Sequence, residues 1–218
     1  MSDSVYAVYG ASGLGRQVMP LARKQLQKQG ISIDNLFFVD DHPPSAELNG
    51  HKILSWDEFS LLPVENKYVV IAIANNKIRE RIANRLIEVG CKHWHIQCES
   101  VITMDDVRIG EGALLGSFVL LTSNIRIGKF FHANHYSHVA HDCVIGDYVT
   151  FAPGVRCNGN VHIEDYAYIG TGAMLRQGTP DKPLRIGKGA VVGMGAVVTK
   201  DVPAGVTVVG NPARPLQK

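Results

Sequence analysis

Residues 139–170 read VAHDCVIGDYVTFAPGVRCNGNVHIEDYAYIG, and every sixth residue of this stretch from Val139 onward is apolar. The same spacing extends outward over twelve positions and, after a step of eleven residues, resumes near the C-terminus. These positions are Ile109, Leu115, Leu121, Ile127, Ala133, Val139, Ile145, Phe151, Cys157, Ile163, Ile169 and Leu175, followed by Ile186, Val192 and Val198. A period of six fits neither an α-helix nor an alternating strand. It is typical of a parallel β-helix, in which each hexad forms one side of a triangular prism.

A second set of positions, two residues before each of these, is mostly small or apolar as well. Its members are Val107, Ala113, Val119, Ile125, Phe131, Ser137, Cys143, Val149, Val155, Val161, Ala167 and Ala173. Three hexads make one coil of about 18 residues, and the aliphatic positions stack toward the inside of the prism. The repeat resembles the left-handed parallel β-helix of the hexapeptide acyltransferases. We therefore expect an all-β domain over residues 99–218.

The first hundred residues follow a different pattern, in which strand and helix signals alternate. The runs SVYAVYG (4–10), NLFFVDD (35–41) and KYVVIAIAN (67–75) predict three strands. Helical spacing predicts one helix from about Leu14 to Gln29 and a second within NKIRERIANRLIEVG (76–90). The apolar positions of the second helix are Ile78, Ile82, Leu86 and Val89. This alternation predicts an α/β domain over residues 1–98, with a small Rossmann-like parallel sheet.

Charge and composition narrow the classes of function. The formal net charge is +2 and there is no run of Lys or Arg, so we expect no nucleic-acid partner. No run of about 18 apolar residues occurs, and the start MSDSVYAVYGASG lacks the signal-peptide pattern, so we expect no membrane insertion. The four cysteines show no C-x-x-C spacing. Free thiols in a reducing cytoplasm are therefore expected.

A glycine-rich segment, YGASGLGRQ (9–17), links the first predicted strand to the first predicted helix. Its glycines form G-x-x-G-x-G, which departs from the dinucleotide-binding G-x-G-x-x-G. Such a turn lets backbone N–H groups approach a phosphate at a helix N-terminus, although it can also be purely structural. Asp40 and Asp41 end the second strand, and Ala74, Asn75 and Asn76 end the third. All three strand ends lie at the carboxyl edge of a parallel sheet, where ligands bind, so we predict nucleotide binding there.

Four histidines follow one another at intervals of three, at positions 132, 135, 138 and 141. On a hexapeptide prism they occupy two outward positions on successive sides, so they point in different directions and do not form a zinc site within one chain. Two alternatives remain. An outward histidine acts between neighbouring chains, as a general base or as a shared zinc ligand, or all four are solvated surface residues.

His141 differs from the other three because of its neighbours. Asp142 follows it directly, but a contact between the two requires a bend at a prism corner, since adjacent residues of a strand point to opposite sides. Gly159 lies one coil later, where it leaves space for a ligand group and presents a backbone N–H to a thioester carbonyl. Asn134, seven residues earlier, is positioned to supply a polar contact to an incoming nucleophile.

The stretches YGASGLG, FFVDD, IAIANNKIR, VAHDCVIGD and VVGMGAVVTKDVPAGVTVVGNPAR together resemble one family over essentially the whole chain. This family comprises the bacterial nucleotide-sugar N-acetyltransferases of surface-glycan synthesis. They acetylate the 4-amino group of UDP-4-amino-4,6-dideoxy-N-acetylglucosamine or of GDP-perosamine. The resemblance implies an acetyl-CoA-dependent acetyltransferase without a metal, acting on a UDP- or GDP-linked amino sugar. It also implies a homotrimer with active sites between subunits.

The resemblance also implies site residues. The catalytic base falls on His141 and the acidic residue that raises its basicity on Asp142. Nucleotide-sugar contacts fall on Ser12, Gly13, Leu14, Asp40, Asp41 and Ala74, beside which Asn75 and Asn134 are further candidates. Acetyl-CoA contacts fall on Thr150, Thr171 and Met194, with Gly159 as the candidate oxyanion donor. Thr150 and Met194 depart from the histidine and the glycine of some members. The extra loop RQGTPDKPL (176–184) either covers the cofactor or is a passive bulge.

Three rival functions remain compatible with the residues alone. A sugar O-acetyltransferase would use the same histidine base on a hydroxyl. A zinc enzyme of the γ-carbonic-anhydrase kind would explain the histidine density, but it would not explain the glycine loop. A non-catalytic sensor would bind the nucleotide sugar without turning over acetyl-CoA.

Overall fold

The computed structural model describes residues 4–217 and divides into two compact units, Met1–Ile96 and Gln97–Lys218. The predicted boundary, between residues 98 and 99, lies two residues further on. Each unit has its own secondary structure and its own core.

Unit 1 contains a six-stranded sheet in the order β3-β4-β2-β1-β5-β6, parallel except for the β3–β4 pair. Its strands are β1 (Ser4–Tyr9), β2 (Leu36–Asp40), β3 (Glu47–Leu48), β4 (His51–Ser55), β5 (Asn66–Ile71) and β6 (Lys92–His93). Its helices are α1 (Gly13–Lys28), α2 (Trp56–Ser60) and α3 (Asn76–Glu88), with a 3₁₀ turn at Ile33–Asn35. The three predicted strands are β1, β2 and β5. Because β1 lies between β2 and β5, the ends of these strands meet at one edge.

Helix α3 shows where periodicity alone misplaces side chains. Ile82 and Leu86 are buried as predicted, but Ile78 is 39% exposed and Val89 is 44% exposed. Val89 lies just after the helix, at its C-cap, so helical spacing no longer applies to it. Arg79, next to Ile78, is buried instead, because its guanidinium donates hydrogen bonds to backbone carbonyls.

Unit 2 is the predicted left-handed parallel β-helix, whose strands form three sheets that are parallel except for the last strand pair of the chain. We call these sheets sides 1, 2 and 3 in the order in which the chain visits them. Side 1 contains β10 (Leu114–Leu115), β13 (His132–Ala133), β16 (Thr150–Phe151), β19 (Tyr168–Ile169), β22 (Val191–Val192) and β24 (Thr207–Val209). Side 2 contains β8 (Ile102–Thr103), β11 (Leu120–Leu121), β14 (His138–Val139), β17 (Arg156–Cys157), β20 (Met174–Leu175) and β23 (Val197–Val198). Side 3 contains β9 (Val107–Ile109), β12 (Ile125–Ile127), β15 (Val144–Ile145), β18 (Val161–Ile163) and β21 (Leu184–Ile186). Two short strands, β7 (Ile96–Gln97) and β25 (Arg214–Pro215), precede and end this series.

The interior of the prism is filled by the positions that the six-residue period selects. Most of these residues are buried and form one continuous apolar cluster. Strand pairing joins residues 18 apart, as at Ala133 with Phe151 and Phe151 with Ile169, so each inward side chain stacks on its counterpart in the next coil. The prediction of three hexads per coil is confirmed.

The edges of the prism require backbone that most residues avoid. Residues Tyr136, Asp142 and Tyr148 adopt positive φ angles near 60° at three successive edges, and Tyr166 does so one coil after Tyr148. This left-handed conformation turns the chain sharply from one side to the next. We name the edges after the sides they join: edge 1–2, edge 2–3 and edge 3–1.

One loop interrupts the regular coils. It runs from residue 176 to 183, between β20 and β21, and accounts for the break in the six-residue spacing. The strands on either side remain in step, since Val161 pairs with Leu184 and Met174 pairs with Val197. The loop therefore extends edge 2–3 without disturbing the stack.

Among residues 4–217, none of the helices is both long enough and apolar enough to cross a membrane.

Candidate active site

The centre of the candidate site is His141, on edge 2–3 between β14 and β15. Its Nδ1 lies 2.7 Å from Oδ2 of Asp142. Because an ionised carboxylate only accepts hydrogen bonds, Nδ1 carries a proton, and in the neutral ring Nε2 then has a free lone pair. Asp142 has a φ of 58°, which is the corner bend that this contact requires. Both side chains are about half exposed, at 48% and 46%, so a substrate can reach them.

Gly159 lies directly against the imidazole ring of His141. A Cβ at residue 159 would be 2.6 Å from both Cε1 and Nε2 of the ring. The space that we predicted for a ligand group is therefore taken by the ring itself, because the coil spacing brings the two residues into contact. The Gly159 carbonyl accepts from Gly178 N–H at 2.9 Å, whereas within residues 4–217 the Gly159 N–H has no hydrogen-bond acceptor.

The other three histidines have different surroundings. His132 is 1% exposed although it occupies an outward position of side 1, so the alternative that all four histidines are solvated surface residues does not hold. His135 accepts a hydrogen bond at Nδ1 from Ser117 N–H. Burial, together with the charge of Arg156, lowers the pKa of His138. His141 differs from these in its contact with the carboxylate of Asp142.

The predicted cofactor contacts lie on another edge. Thr171 and Met194 both follow strands of side 1 and sit on edge 1–2, where the Thr171 carbonyl accepts from Gly195 N–H at 2.8 Å. Met194 is 82% exposed, which is unusual for a large apolar side chain. Asn134 is on the same edge, and its Nδ2 donates to the carbonyl of Phe151 at 3.2 Å. Within one chain, the structure thus separates these three residues from His141.

Thr150 does not join this group. It lies in β16 on side 1 and is only 2% exposed. Its side chain offers no surface to a cofactor on this chain, so we leave Thr150 out of the proposed contacts.

The extra loop adjoins the candidate base. Gly178 N–H donates to the Gly159 carbonyl, and Leu184 N–H donates to the carbonyl of Asn160 at 3.1 Å. A Cβ at Gly178 would be 2.3 Å from that same carbonyl oxygen, so only glycine allows the loop to pack this closely. The loop therefore continues the column of residues that begins with His141 and Gly159.

In unit 1, the glycine loop leads directly into the N-terminus of α1. Gly10 has a φ of 108°, and a Cβ at Gly15 would be 1.8 Å from its carbonyl oxygen, so the tight turn requires both glycines. A Cβ at Gly13 would meet nothing within 4 Å. Ser12 is the N-cap but makes no capping bond with its side chain, and no acidic residue lies in the first turn. The N-terminal N–H groups of α1 are thus favourably placed for an anion.

The two aspartates at the end of β2 have different partners. Asp40 Oδ2 accepts from Ala11 N–H at 2.9 Å and Oδ1 accepts from His42 N–H at 3.0 Å. Asp41 Oδ1 accepts from the Tyr9 hydroxyl at 2.6 Å and from Arg85 Nη2 at 2.7 Å. Burial and the neighbouring Asp40 raise the pKa of the Asp41 carboxyl.

The end of β5 is shaped by α3. The Asn75 side chain caps this helix by accepting from Ile78 N–H at 3.0 Å. Arg79 Nη1 donates to the carbonyls of Ile73 at 2.8 Å and Ala74 at 3.2 Å. The Ala74 carbonyl therefore accepts a hydrogen bond within the protein.

Sequence reasoning missed a cluster around Asp41. The Arg85 guanidinium lies over the ring of Trp56, with its Cζ 4.2 Å from the ring centroid, and 5.4 Å from the centroid of Tyr9. We call Tyr9, Trp56 and Arg85 the Asp41 clamp. Arg85 is 44 positions from Asp41 in the chain, so no local motif indicates the contact. The capping box of Ser55 and Glu58, which starts α2 at Trp56, was the available signal for that helix.

Within the described residues, no group of three or more His, Cys, Asp or Glu side chains is arranged to hold a metal ion.

The two units match two family models. The PglD N-terminal domain matches residues 6–86, and the bacterial transferase hexapeptide (six repeats) matches residues 124–159. The combination of an α/β unit and a hexapeptide β-helix with an exposed His–Asp pair defines a class of bacterial hexapeptide transferases. The GDP-perosamine N-acetyltransferase of Escherichia coli O157:H7 is 48% identical over 215 residues, covering 99% of this chain and 97% of the relative. The chain belongs to the family of hexapeptide-repeat nucleotide-sugar N-acetyltransferases.

Two solved structures agree with this assignment. WeeI from Acinetobacter baumannii AYE is 60% identical, with a TM-score of 0.95 over 98% of this chain and 100% of that chain. The acetyltransferase domain of PglB from Neisseria gonorrhoeae FA1090, in complex with acetyl coenzyme A, is 29% identical. Its TM-score is 0.83, over 99% of this chain and 100% of that chain. The predictions of family, fold class and acetyltransferase activity are confirmed.

Proposed function

We propose that this chain transfers an acetyl group from acetyl-CoA to the amino group of a UDP- or GDP-linked 4-amino-4,6-dideoxy sugar. The observation that carries the proposal is the exposed His141–Asp142 pair, in which Nδ1 is held by the carboxylate and Nε2 has a free lone pair. This arrangement supplies a general base at an accessible edge of the β-helix.

The proposed reaction begins with deprotonation of the amine. A sugar amine is mostly ammonium at neutral pH and attacks a thioester only after it has lost a proton. Nε2 of His141 takes that proton, directly or through one water, and Asp142 stabilises the imidazolium that forms. The nitrogen then bonds to the thioester carbonyl carbon. The Gly159 N–H is our candidate for stabilising the oxyanion of the tetrahedral intermediate. As the C–S bond breaks, the imidazolium returns a proton to the sulfur and CoA leaves as a thiol, while the nitrogen releases its second proton to solvent and becomes the neutral amide.

We further propose that a complete site contains two chains. His141 lies on edge 2–3, whereas Thr171, Met194 and Asn134 lie on edge 1–2. One ligand cannot span two edges of a filled prism. In a cyclic trimer with parallel prism axes, edge 2–3 of one chain faces edge 1–2 of the next. The exposed Met194 then contacts acetyl-CoA from the neighbouring subunit.

The nucleotide sugar is assigned to unit 1. The N-terminus of α1, with Ser12, Gly13 and Leu14, receives the phosphates. Asp41 and the segment of Ala74 and Asn75 lie beside it at the carboxyl edge and contact the nucleoside. The proposed location of the enzyme is the cytoplasm, where acetyl-CoA is made and where its free cysteines remain reduced.

The test follows thiol release from acetyl-CoA with a panel of UDP- and GDP-linked 4-amino sugars and their 4-hydroxy counterparts, using wild type and His141→Ala. We expect turnover on at least one amino sugar and a loss of about 10² or more in the variant. Nucleotide-sugar binding, measured by calorimetry, should be nearly unchanged. Turnover only with sugars that carry a hydroxyl in place of the amine would indicate O-acetylation. Binding without any turnover would indicate a sensor and would refute the proposal.

A further inference from the structure

The two aspartates at the end of β2 have different capacities to bind a ligand. Each oxygen of Asp40 accepts a backbone N–H, from Ala11 and from His42. The hydrogen bond from Ala11 N–H to Asp40 holds the glycine loop against the end of β2, so Asp40 has a structural role. In Asp41, both hydrogen bonds converge on Oδ1. Oδ2 of Asp41 accepts no hydrogen bond from the described residues, and the residue is exposed at the carboxyl edge.

The Asp41 clamp fixes the direction of that free oxygen. The Tyr9 hydroxyl and Arg85 Nη2 approach Oδ1 from two different elements, β1 and α3. Arg85 is held in turn, because its Cζ lies over the Trp56 ring at the start of α2, 4.2 Å from the ring centroid. A carboxylate held through one oxygen from two sides has little rotational freedom left. Oδ2 is therefore pre-oriented before any ligand arrives.

The contribution of this arrangement to folding stability is too small to explain it. The Arg85 and Asp41 side chains are 33% and 37% exposed, and ion pairs of such exposure contribute little to stability. Arg85 Nε is buried and has no hydrogen-bond partner among residues 4–217. An unpaired buried donor lowers stability, and such groups in native structures often mark functional strain.

From this geometry we infer that Tyr9 and Arg85 are positioning residues for substrate recognition. They hold Asp41 so that its Oδ2 accepts a hydrogen bond from the nucleoside of the nucleotide sugar, while Asp40 serves the glycine loop. The inference rests on the proposed function, in that the ligand of unit 1 is a nucleotide sugar. Neither residue touches the reacting atoms, so the clamp affects substrate affinity and leaves the chemical step unchanged.

The test is steady-state kinetics on the full-length enzyme with Arg85→Met, Arg85→Lys and Tyr9→Phe. For Arg85→Met we expect KM for the nucleotide sugar to rise about tenfold, since a charge-assisted hydrogen bond is lost. For Tyr9→Phe we expect a rise of about threefold. Arg85→Lys should fall between wild type and Arg85→Met, because an ammonium can reach Oδ1 but cannot lie flat on Trp56. In all three variants kcat and KM for acetyl-CoA should be unchanged.

Two matched controls separate positioning from charge and from general damage to the sheet. Arg81→Met removes an exposed arginine of the same helix that acts on Asp41 only at a distance. Tyr68→Phe makes the same chemical change in the neighbouring strand β5. Both controls should behave as wild type. An unchanged KM for the nucleotide sugar in Arg85→Met would refute the inference, as would an equal rise in Arg81→Met. The proposed function would survive either result, because it depends on wild-type turnover.

Discussion

Replacing Gly159 by alanine tests whether the imidazole of His141 must occupy its observed position. The new Cβ would lie 2.6 Å from Cε1 and Nε2, whereas carbon atoms in contact are about 3.5–4.0 Å apart. The ring must therefore move by about 1 Å, which weakens its hydrogen bond to Asp142. A misplacement of about 1 Å costs about 10² in rate, so we expect kcat to fall by about a hundredfold.

Folding should be nearly unaffected by the same substitution. The backbone of Gly159 is not in the left-handed region, so alanine is conformationally acceptable. The ring is also half exposed and has room to swing outward. We therefore expect the melting temperature of Gly159→Ala to stay close to that of wild type, and nucleotide-sugar affinity to be retained.

The assay is thiol release under saturating substrates, with a double-mutant cycle as the control. If alanine at 159 acts by displacing His141, it should add little to the loss already caused by His141→Ala. A wild-type kcat in Gly159→Ala would refute this reasoning. So would full additivity of the two substitutions, which would assign Gly159 a role independent of the ring.

Two further predictions concern assembly and pH. Co-expressed His141→Ala and Met194→Glu chains should form mixed trimers in which one site of the three is complete, because each chain supplies what the other lacks. Random assembly should therefore recover activity at about a quarter of all sites. Activity no higher than in the separate variants would place the site within one chain. Burial and Arg156 lower the pKa of His138 in the folded state, so the unfolded chain binds this proton more readily. Stability is therefore complete above the unfolded pKa of about 6.5 and decreases as pH falls through the lowered folded value. The fall in melting temperature toward acid pH should thus be smaller in His138→Gln than in wild type, and an equal fall in both would refute this assignment.

The β-helix was predictable because its periodicity repeats over many coils. A single polar residue among so many apolar positions does not obscure the six-residue period. The pairing of residues 18 apart in neighbouring coils then follows from three hexads per coil. The sequence also indicated that His141 and Asp142 are in contact only if the chain bends at a corner of the prism, since only a bend brings adjacent side chains together. The roles of these residues in catalysis stay predictions.

Features that depend on packing were not predictable. His132 occupies an outward position, yet it is buried, because the six-residue period specifies direction and not what covers a side. The burial of Arg79 could not be predicted for a similar reason, since an arginine is buried only where backbone carbonyls accept its hydrogen bonds. The Asp41 clamp joins residues far apart in the chain. No spacing rule connects such positions before the sheet order is known.

The loop at 176–183 can change in length and sequence without altering the β-helix that carries it. It begins and ends in strands whose pairings are undisturbed, and it is anchored to the column of His141 through Gly178. Insertions, deletions and substitutions in the remainder of the loop would leave every rung of the solenoid in place. Natural divergence or laboratory evolution toward a different acyl donor therefore has a short stretch of chain to vary, beside the reactive histidine and free of the constraints of the fold.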